Sequence, residues 1–309
     1  MKVGVVGLGP IGVEVMKAIL GDTRFELVGA VDVAPALAGR PLAEVVAGAP
    51  VGLSIDGTAA ALIARAPDAV ALCTRSTVEG VADDLRAFAA AGVSVVTTCE
   101  ELASPPDTAL VRTLSDAALR GQAALLATGV NPGFVMDRFV IQLAGLCVKV
   151  RGVAVERVVD AGLRREPLQK KVGHGLTVEQ FRAGVAEGRL GHVGLLASAT
   201  LLARGLHTEL ARVEQSIDPV VGEGGRVLGV RQRLVASTSD GRPIELRLQM
   251  SVGAPDPHDR VQLDADPPVD VRIAGGLHGD RATVAAVIDG LWRLGRTRRA
   301  GLLTVIDVY

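Results

Sequence analysis

The chain begins with a short apolar segment that leads into the glycine pattern Gly7-x-Gly9-x-x-Gly12. A helical pattern of apolar residues follows, and a second apolar run ends at Asp32, twenty residues after the last glycine. This order of strand, glycine turn, helix and acidic strand end predicts a dinucleotide-binding βαβ unit. The three glycines allow, in turn, a tight bend, close approach of a pyrophosphate, and close packing of the helix on the strand.

The loop and the next strand end supply the predicted cofactor-binding residues. Pro10 and Ile11 stand where the first helix is expected to begin, and a helix N-terminus offers unpaired N–H groups and a positive dipole to phosphates. Asp32 is expected to accept hydrogen bonds from the adenosine ribose hydroxyls, and its charge repels a 2′-phosphate. Arg40 would offset that repulsion. We therefore expect NAD first, with NADP admitted through Arg40.

The composition limits the classes to which the protein can belong. Of the 309 residues, 49% are apolar but only 2% are aromatic, so a large core must be aliphatic. The net charge of −1 favours neither a nucleic-acid partner nor an anionic membrane surface. Since we find neither a signal-peptide pattern nor an apolar stretch long enough to span a membrane, we expect a soluble cytoplasmic protein.

Cysteine spacing argues against a metal or disulfide framework. Cys73, Cys99 and Cys147 lie in or near apolar runs, and their odd number and wide spacing are not typical of disulfide-rich proteins or zinc sites. The histidines and acids also lack metal-ligand spacing. The sequence therefore predicts no metal site.

Alternating strand and helix patterns up to about residue 130 predict a doubly wound parallel sheet. The expected strands are 2–6, 26–32, 68–73, 93–98 and 123–127, and the expected helices are 11–20, 58–65, 78–91 and 107–120. Several strands are continuous apolar runs, as expected for strands covered on both faces. The carboxyl ends of such strands meet at one edge, where the ligand binds.

After Pro132 the pattern changes to that of an α+β domain with a mixed, largely antiparallel sheet. We expect helices at 134–147, 177–187, 193–206 and 281–294, strands at 152–160, 209–220, 226–238, 242–252 and 269–273, and a loop at 253–268. The predicted domains are a dinucleotide-binding domain (1–133), a substrate and dimerisation domain (134–279), and a C-terminal helix and tail (280–309) that pack back near the first.

Polar residues follow the third and fourth strands. Thr74 and Ser76 would bind the ribose or carboxamide of the cofactor, or Ser76 or Thr77 would cap the next helix. Glu100 and Glu101 are candidates for general acid and base catalysis, with Glu101 preferred. The alternative is that both acids begin a helix and favour its dipole.

Two further clusters carry candidate pocket residues. After the fifth strand, Asn131 would present its amide to cofactor or substrate and Phe134 would wall the pocket, unless this is an ordinary turn. Farther along, Arg165 and His192 are candidate substrate-pocket residues. A structural histidine is the alternative for His192, and the same caution holds for His278.

Taken together, these clusters resemble one family. The motifs are Gly7-x-Gly9-x-x-Gly12, Thr98-Cys99-Glu100-Glu101-Leu102, Gly129-Val130-Asn131-Pro132-Gly133-Phe134 with Met136-Asp137, Arg164-Arg165-x-Pro167-Leu168-Gln169, Gly191-His192-Val193-Gly194-Leu195 and Gly275-Gly276-x-His278-Gly279-Asp280. The chain looks like the 2,4-diaminopentanoate dehydrogenases and the related native amine dehydrogenases, within the dihydrodipicolinate-reductase-like superfamily.

The resemblance implies a Rossmann domain, an α+β substrate domain and a homodimer. It also implies NAD(P)-dependent interconversion of an amine with a carbonyl compound and ammonia. The family's catalytic carboxylate carries over to Glu101, with Glu100 as the alternative register. Two other functions stay open: reduction of an imine or carbonyl without ammonia, and a regulatory protein that binds NAD(P) without turnover.

Departures from close relatives leave the substrate open. Glu166 stands among Arg164, Arg165 and Pro167, and the predicted substrate domain is poor in aromatic residues. The chain lacks the paired histidines and the Lys-x-Asp-x-x-Ser-Gly-Thr segment of true dihydrodipicolinate reductases. It also has Glu-Glu where the sugar oxidoreductases carry Glu-Lys-Pro. Both features argue against those sister activities.

Overall fold

The computed structural model describes residues 1–163 and 166–309. Arg165, a predicted pocket residue, lies outside the described residues together with Arg164. The chain divides into two compact units. We call residues 1–134 with 279–309 the N-terminal unit, and residues 135–278 the central unit.

The N-terminal unit begins with alternating strands and helices, as the patterns predicted, and a short helix and a short strand within 42–56 are additions that the patterns did not reveal. In chain order these are β1 (Lys2–Val6), α1 (Pro10–Leu20), β2 (Glu26–Val31), α2 (Leu42–Val45), β3 (Ile55–Asp56), α3 (Ala59–Ile63), β4 (Ala69–Leu72), α4 (Val78–Ala90), β5 (Ser94–Thr97), α5 (Ala109–Gly121) and β6 (Ala124–Ala127). A 3-10 helix, Glu100–Leu102, lies between β5 and α5. Every residue of β4 and β6 is buried, because helices cover both faces of the sheet.

The central unit combines helices with long strands. Its elements are α6 (Arg138–Ala144), β7 (Lys149–Asp160), α7 (Glu166–Lys171), α8 (Val178–Ala186), α9 (Leu195–Gly205), β8 (Leu210–Val221), β9 (Val227–Thr238), β10 (Pro243–Ser251), β11 (His258–Asp266) and β12 (Val269–Ala274). In the described residues the sheet order is β12-β11-β7-β10-β9-β8. Only the β7–β10 pair there is parallel, so the sheet is mixed and largely antiparallel, as predicted.

Two predictions for this unit are wrong. The predicted loop 253–268 contains β11, which pairs with β7 and β12 and buries Val261, Leu263 and Ala265. Prolines and aspartates on either side hide this short apolar alternation in the sequence. The predicted helix 134–147 is shorter because turns extend as far as Asp137, which is the N-cap of α6.

The last residues of the chain complete the N-terminal unit. They form α10 (Gly279–Leu294), β13 (Gly301–Leu303) and α11 (Val305–Val308). β13 pairs in parallel with β6 and adds a seventh strand, which the sequence patterns did not reveal. The sheet order is β13-β6-β5-β4-β1-β2-β3. Helix α10 packs on α1 and β5.

The strand order reverses between β1 and β4, which are direct neighbours in the sheet. In an open parallel sheet, a ligand binds outside the carboxyl ends of the strands at such a reversal. A ligand-binding site is therefore expected at the carboxyl edge of the sheet in the N-terminal unit. Within the described ranges, we find no helix long and apolar enough to cross a bilayer.

Candidate functional site

The glycine loop after β1 depends on two residues without side chains. Gly7 has φ +87°, and a Cβ there would lie 2.7 Å from Cγ2 of Thr74 on the neighbouring strand end. A Cβ on Gly12 would lie 1.8 Å from the carbonyl oxygen of Gly7. The first glycine thus permits the bend, and the second lets α1 pack against the loop.

Gly9 differs from these two glycines because nothing nearby excludes a side chain. It is the N-cap of α1 at φ −67°, and a Cβ there would meet no heavy atom within 4 Å. Pro10 occupies the first turn, where its missing N–H costs no helical hydrogen bond. The N–H groups of Ile11 and Gly12 belong to the same first turn, where helix donors have no partner within the helix. Helix N-termini of this kind commonly bind phosphate groups.

Asp32 is fixed at the end of β2 by two main-chain hydrogen bonds. Its Oδ2 accepts the N–H of Leu8 at 2.7 Å, and its Oδ1 accepts the N–H of Ala34 at 2.8 Å. The side chain is half-buried. Each carboxylate oxygen can accept more than one hydrogen bond, so a hydroxyl group can still bind. The acid therefore ties the glycine loop to β2 and retains acceptor capacity.

Arg40 lies beyond Asp32 in an exposed turn before α2. Its Nη2 forms an ion pair with Oε2 of Glu44 at 3.2 Å. Both side chains are about half exposed, so the pair contributes little to stability. The Arg40 guanidinium therefore points toward Glu44, which lies four residues farther along the chain.

The segment after β4 borders the glycine loop. Thr74 and Ser76 are exposed, and the carbonyl of Ser76 accepts the N–H of Glu101 at 3.1 Å. Burial raises the pKa of the Cys73 thiol to about 12, so this thiol is neutral at ordinary pH. Thr77 is the N-cap of α4, but its side chain makes no capping hydrogen bond.

The carboxylate of Glu101 takes that capping role. Its Oε2 accepts the N–H of Val78, the first residue of α4, at 2.7 Å. Glu101 is exposed, whereas Glu100 in the same 3-10 helix is half-buried. Glu101 thus faces solvent at the carboxyl edge of the sheet, next to the β1–β4 reversal of strand order. Its carboxylate is anchored by the N-terminus of α4.

The loop after β6 folds tightly on itself. Thr128 donates its N–H to the carbonyl of Thr97, and the Asn131–Pro132 peptide bond is cis. Gly133 has φ +122°, and a Cβ there would lie 2.6 Å from the nitrogen of Gly129. Asn131 is buried and Phe134 is half-buried.

The carboxyl edge of the N-terminal sheet thus brings together most of the predicted site residues. They are Gly7, Gly9, Pro10, Ile11, Gly12, Asp32, Thr74, Ser76, Glu100, Glu101 and Asn131. Phe134 is the last residue of the first segment of this unit, whereas His192 belongs to the central unit. Among the residues that the structure describes, no group of three His, Cys, Asp or Glu side chains is arranged so that it could hold a metal ion.

The sequence reasoning missed three buried polar residues of the central sheet. Arg157, Gln232 and Asp259 are each at most 3% exposed. Each occupies a position that the strand alternation reserves for apolar side chains, between residues such as Val155 or Leu234. A polar residue in the buried phase of a strand is the signal that would have found them.

Comparison with known proteins identifies relatives of this chain. A family model described as the 2,4-diaminopentanoate dehydrogenase C-terminal domain matches residues 134–309. The 2,4-diaminopentanoate dehydrogenase of Acetoanaerobium sticklandii is 30% identical over 234 residues. That match covers 73% of this chain and 66% of the relative, slightly less than two thirds of its length.

Solved structures share the fold. The amine dehydrogenase from Mycobacterium smegmatis has a TM-score of 0.87 at 19% identity, and the match covers 100% of this chain and 96% of that one. GenD2 from gentamicin A biosynthesis, solved in complex with NAD, has a TM-score of 0.57 at 18% identity, with 89% and 72% covered. These likenesses establish the architecture of a Rossmann-like sheet with a second, mixed sheet.

Proposed function

Because the chain belongs to the 2,4-diaminopentanoate dehydrogenase family, we propose that it is an NAD(P)-dependent amine dehydrogenase. The reaction interconverts a small amine with a ketone or aldehyde. In the direction of amination, a carbonyl compound, ammonium and the reduced cofactor give an amine, water and the oxidised cofactor. A nicotinamide cofactor, when bound, would supply or accept the hydride.

One observation carries the proposal. The exposed carboxylate of Glu101 is anchored at the carboxyl edge of the sheet, in the 3-10 helix that follows β5, and β5 is the neighbour of β4 at the β1–β4 reversal. A dinucleotide held at the glycine loop extends along this edge. This arrangement supports the proposal that the Glu101 carboxylate lies near the nicotinamide end of the bound cofactor.

The residues that would hold the cofactor are those of the loop and strand ends. The N-terminus of α1, with Pro10, Ile11 and Gly12, would bind the pyrophosphate beside Gly9. Asp32 would bind the adenosine ribose. The exposed Thr74 and Ser76 and the amide of Asn131 would bind the ribose or carboxamide at the nicotinamide end.

Glu101 would act on the reacting amine. With Oε2 engaged by Val78, Oε1 is the oxygen that would stabilise the cationic imine of the substrate. The same oxygen would pass protons to and from water or ammonia during the addition and the loss of water. Such general acid–base help contributes about 10²- to 10⁴-fold in rate, or roughly 3–5 kcal/mol of the barrier.

We propose that NAD is preferred over NADP. The Asp32 carboxylate would repel a 2′-phosphate, and Arg40, the residue predicted to compensate, is paired with Glu44. For the substrate, Phe134, Arg165 and His192 are the proposed contact residues, and a homodimer is the proposed assembly.

A spectrophotometric screen tests the function. Purified protein is mixed with NADH or NADPH and a panel of small ketones and aldehydes, with and without ammonium, and absorbance at the nicotinamide band is followed. We expect oxidation that requires ammonium and disappears in Glu101→Ala. Turnover without ammonium would instead assign a carbonyl or imine reductase. Cofactor binding without turnover across the panel, and with amines plus NAD, would assign a regulatory protein.

The assembly is tested by light scattering coupled to size-exclusion chromatography. We expect a particle of twice the chain mass at micromolar concentration. A particle with the mass of one chain would overturn the homodimer.

A further inference from the structure

A buried amide on β9 holds a loop of the central unit by its main chain. Alternate residues of β9 are buried, and Gln232 is the polar one among Val230, Leu234 and Ala236. Its Oε1 accepts the N–H of His192 at 2.6 Å, and its Nε2 donates to the carbonyl of His192 at 3.0 Å. The oxygen and the nitrogen of the Gln232 amide therefore both bond the main chain of His192.

A second loop is held in the same manner. The N–H of Leu277 donates to Oδ2 of Asp259 at 2.7 Å, and Nη2 of Arg157 donates to the carbonyl of Leu277 at 2.8 Å. Arg157 and Asp259 also form an ion pair at 3.2 Å, with both side chains almost fully buried. The two polar groups of one main-chain residue are again satisfied by side chains of the sheet.

The two anchors lie in one row across the sheet. Asp259 is paired with Arg157 across β11 and β7, Arg157 with Leu248 across β7 and β10, and Leu248 with Gln232 across β10 and β9. Neighbouring strands are about 4.8 Å apart, so Arg157 and Gln232, two strands apart, are separated by roughly 10 Å. One rigid row of the sheet therefore sets the positions of both loops.

The loops held by this row carry the histidines of two motifs. His192 is held directly, and His278 follows Leu277. Gly191, at φ +111°, lets the first loop come close to the sheet, since a Cβ there would lie 3.2 Å from Cδ1 of Ile217. Burying an amide or an ion pair gains little over apolar packing, so these residues are better explained by what they hold than by sheet stability.

We infer that Gln232 is a positioning residue for substrate binding. It fixes the main chain of His192, so that the imidazole is presented to the substrate from a constant place. This inference rests on the proposed function and extends it to a residue that does not itself contact the substrate.

The kinetic test is a double-mutant cycle of Gln232→Met with His192→Ala. For a carbonyl substrate from the screen, we expect Gln232→Met to raise KM about tenfold, or roughly 1.4 kcal/mol of binding free energy, because the main chain of His192 is no longer held in place. The Kd of the cofactor stays unchanged. In the His192→Ala background the same substitution changes KM by less than about twofold, because coupled residues are non-additive. Thr238→Val is the matched control, since Thr238 is a buried polar residue of β9 whose hydroxyl group bonds Asp240 and Arg242 of its own turn.

A second measurement does not depend on activity. Hydrogen exchange at the His192 amide is expected to accelerate in Gln232→Met and to stay unchanged in Thr238→Val. If Gln232→Met does not fold, Gln232→Leu replaces it, since leucine also removes both the acceptor for the His192 N–H and the donor to the His192 carbonyl.

The outcomes separate this inference from the proposed function. If the wild-type protein turns over no substrate but exchange responds as expected, the proposed function fails and the anchor stands. If exchange at His192 does not respond to Gln232→Met, the inference is wrong whatever the enzyme does. An equal rise in KM in both backgrounds would also overturn it, because Gln232 would then act without His192.

Discussion

Oε2 of Glu101 accepts a hydrogen bond from the main-chain N–H of Val78 at 2.7 Å. The acid follows β5, whereas Val78 begins the helix after β4, so the contact joins two neighbouring strand ends. A helix N-terminus stabilises a negative charge. Glu101 therefore has a structural task as well as the catalytic one proposed for it, and the two can be separated by substitution.

The first prediction concerns that separation. Glu101→Gln keeps an oxygen that can accept the Val78 N–H but loses the charge. We expect kcat to fall by about 10²- to 10⁴-fold with little change in Tm. Glu101→Ala should lose activity and also about 0.5–2 kcal/mol of unfolding free energy, as for loss of a helix cap.

Glu100→Gln is the control, measured by the same steady-state kinetics and thermal melts. Near-normal turnover is expected there. The opposite pattern, with activity lost in Glu100→Gln and kept in Glu101→Gln, would move the catalytic role to Glu100.

The second prediction contrasts two glycines of one loop. Gly9→Ala places a methyl group in open space at an ordinary φ, so folding should be unaffected. The methyl group would meet the cofactor phosphates, and we expect the cofactor Kd to rise about tenfold or more, a change of at least about 1.4 kcal/mol. Calorimetric titration with NADH measures it.

Gly12→Ala is the matched substitution. Its Cβ would lie 1.8 Å from a main-chain oxygen, so we expect a loss of about 1–3 kcal/mol or more in unfolding free energy. Equal Tm values for the two variants would contradict the packing described for α1.

The third prediction addresses cofactor choice. Asp32→Ala removes the proposed acceptor of the ribose hydroxyls, and we expect NADH binding to weaken about 10- to 150-fold, for 1.5–3 kcal/mol of hydrogen bonding to a charged group. NADPH binding should weaken less, since the repulsion of the 2′-phosphate is removed. The measurement is the ratio of the Kd for NADH to the Kd for NADPH. Loss of the Asp32–Leu8 hydrogen bond would loosen the glycine loop and weaken both cofactors alike, so it cancels in this ratio.

Glu44→Gln tests the role of Arg40. Releasing the guanidinium from its ion pair should improve NADPH binding if Arg40 reaches the 2′-phosphate. An unchanged Kd for NADPH would remove Arg40 from the cofactor site, and an unchanged ratio in Asp32→Ala would remove Asp32.

The fourth prediction concerns alkaline stability. Burial raises the pKa of the Cys99 thiol from 9.0 to about 11, so the folded state keeps this proton when the unfolded chain releases it. The contribution of Cys99 is fully present below pH 9 and is lost as pH rises toward about 11. Urea unfolding at several pH values measures the decline.

Cys99→Ala provides the comparison. We expect its unfolding free energy to fall less steeply above pH 9, by about 1.4 kcal/mol per pH unit for the missing proton. Two parallel curves would show that Cys99 ionises alike in the folded and unfolded states.

Much of the architecture was predictable because it follows from contiguous residues. The alternation of apolar runs and helical patterns predicted the parallel sheet, and the run Ala69–Leu72 reads as a strand buried on both faces. β11 was missed because its apolar alternation is short and lies between Pro- and Asp-rich turns. β13 was missed because three residues acquire strand structure only by pairing with β6.

The positions of the candidate residues in the fold were predictable to a similar extent. Spacing alone placed the glycines and Asp32, and strand ends placed Thr74, Ser76, Glu101 and Asn131 at one edge. The sequence did not reveal that Asp32 holds the N–H of Leu8, or that Arg40 is turned to Glu44. Those partners depend on side-chain geometry rather than on the order of residues.

By itself, the sequence determined the dinucleotide fingerprint, the alternation of most strands and helices, and the family. These depend on periodicity and spacing, which are properties of neighbouring residues. Only the tertiary structure decided that Glu101 caps the helix beginning at Val78, 23 residues away, and that Gln232 holds His192, 40 residues away. Such hydrogen bonds form only after packing and strand register bring distant segments within about 3 Å, and no local pattern encodes them.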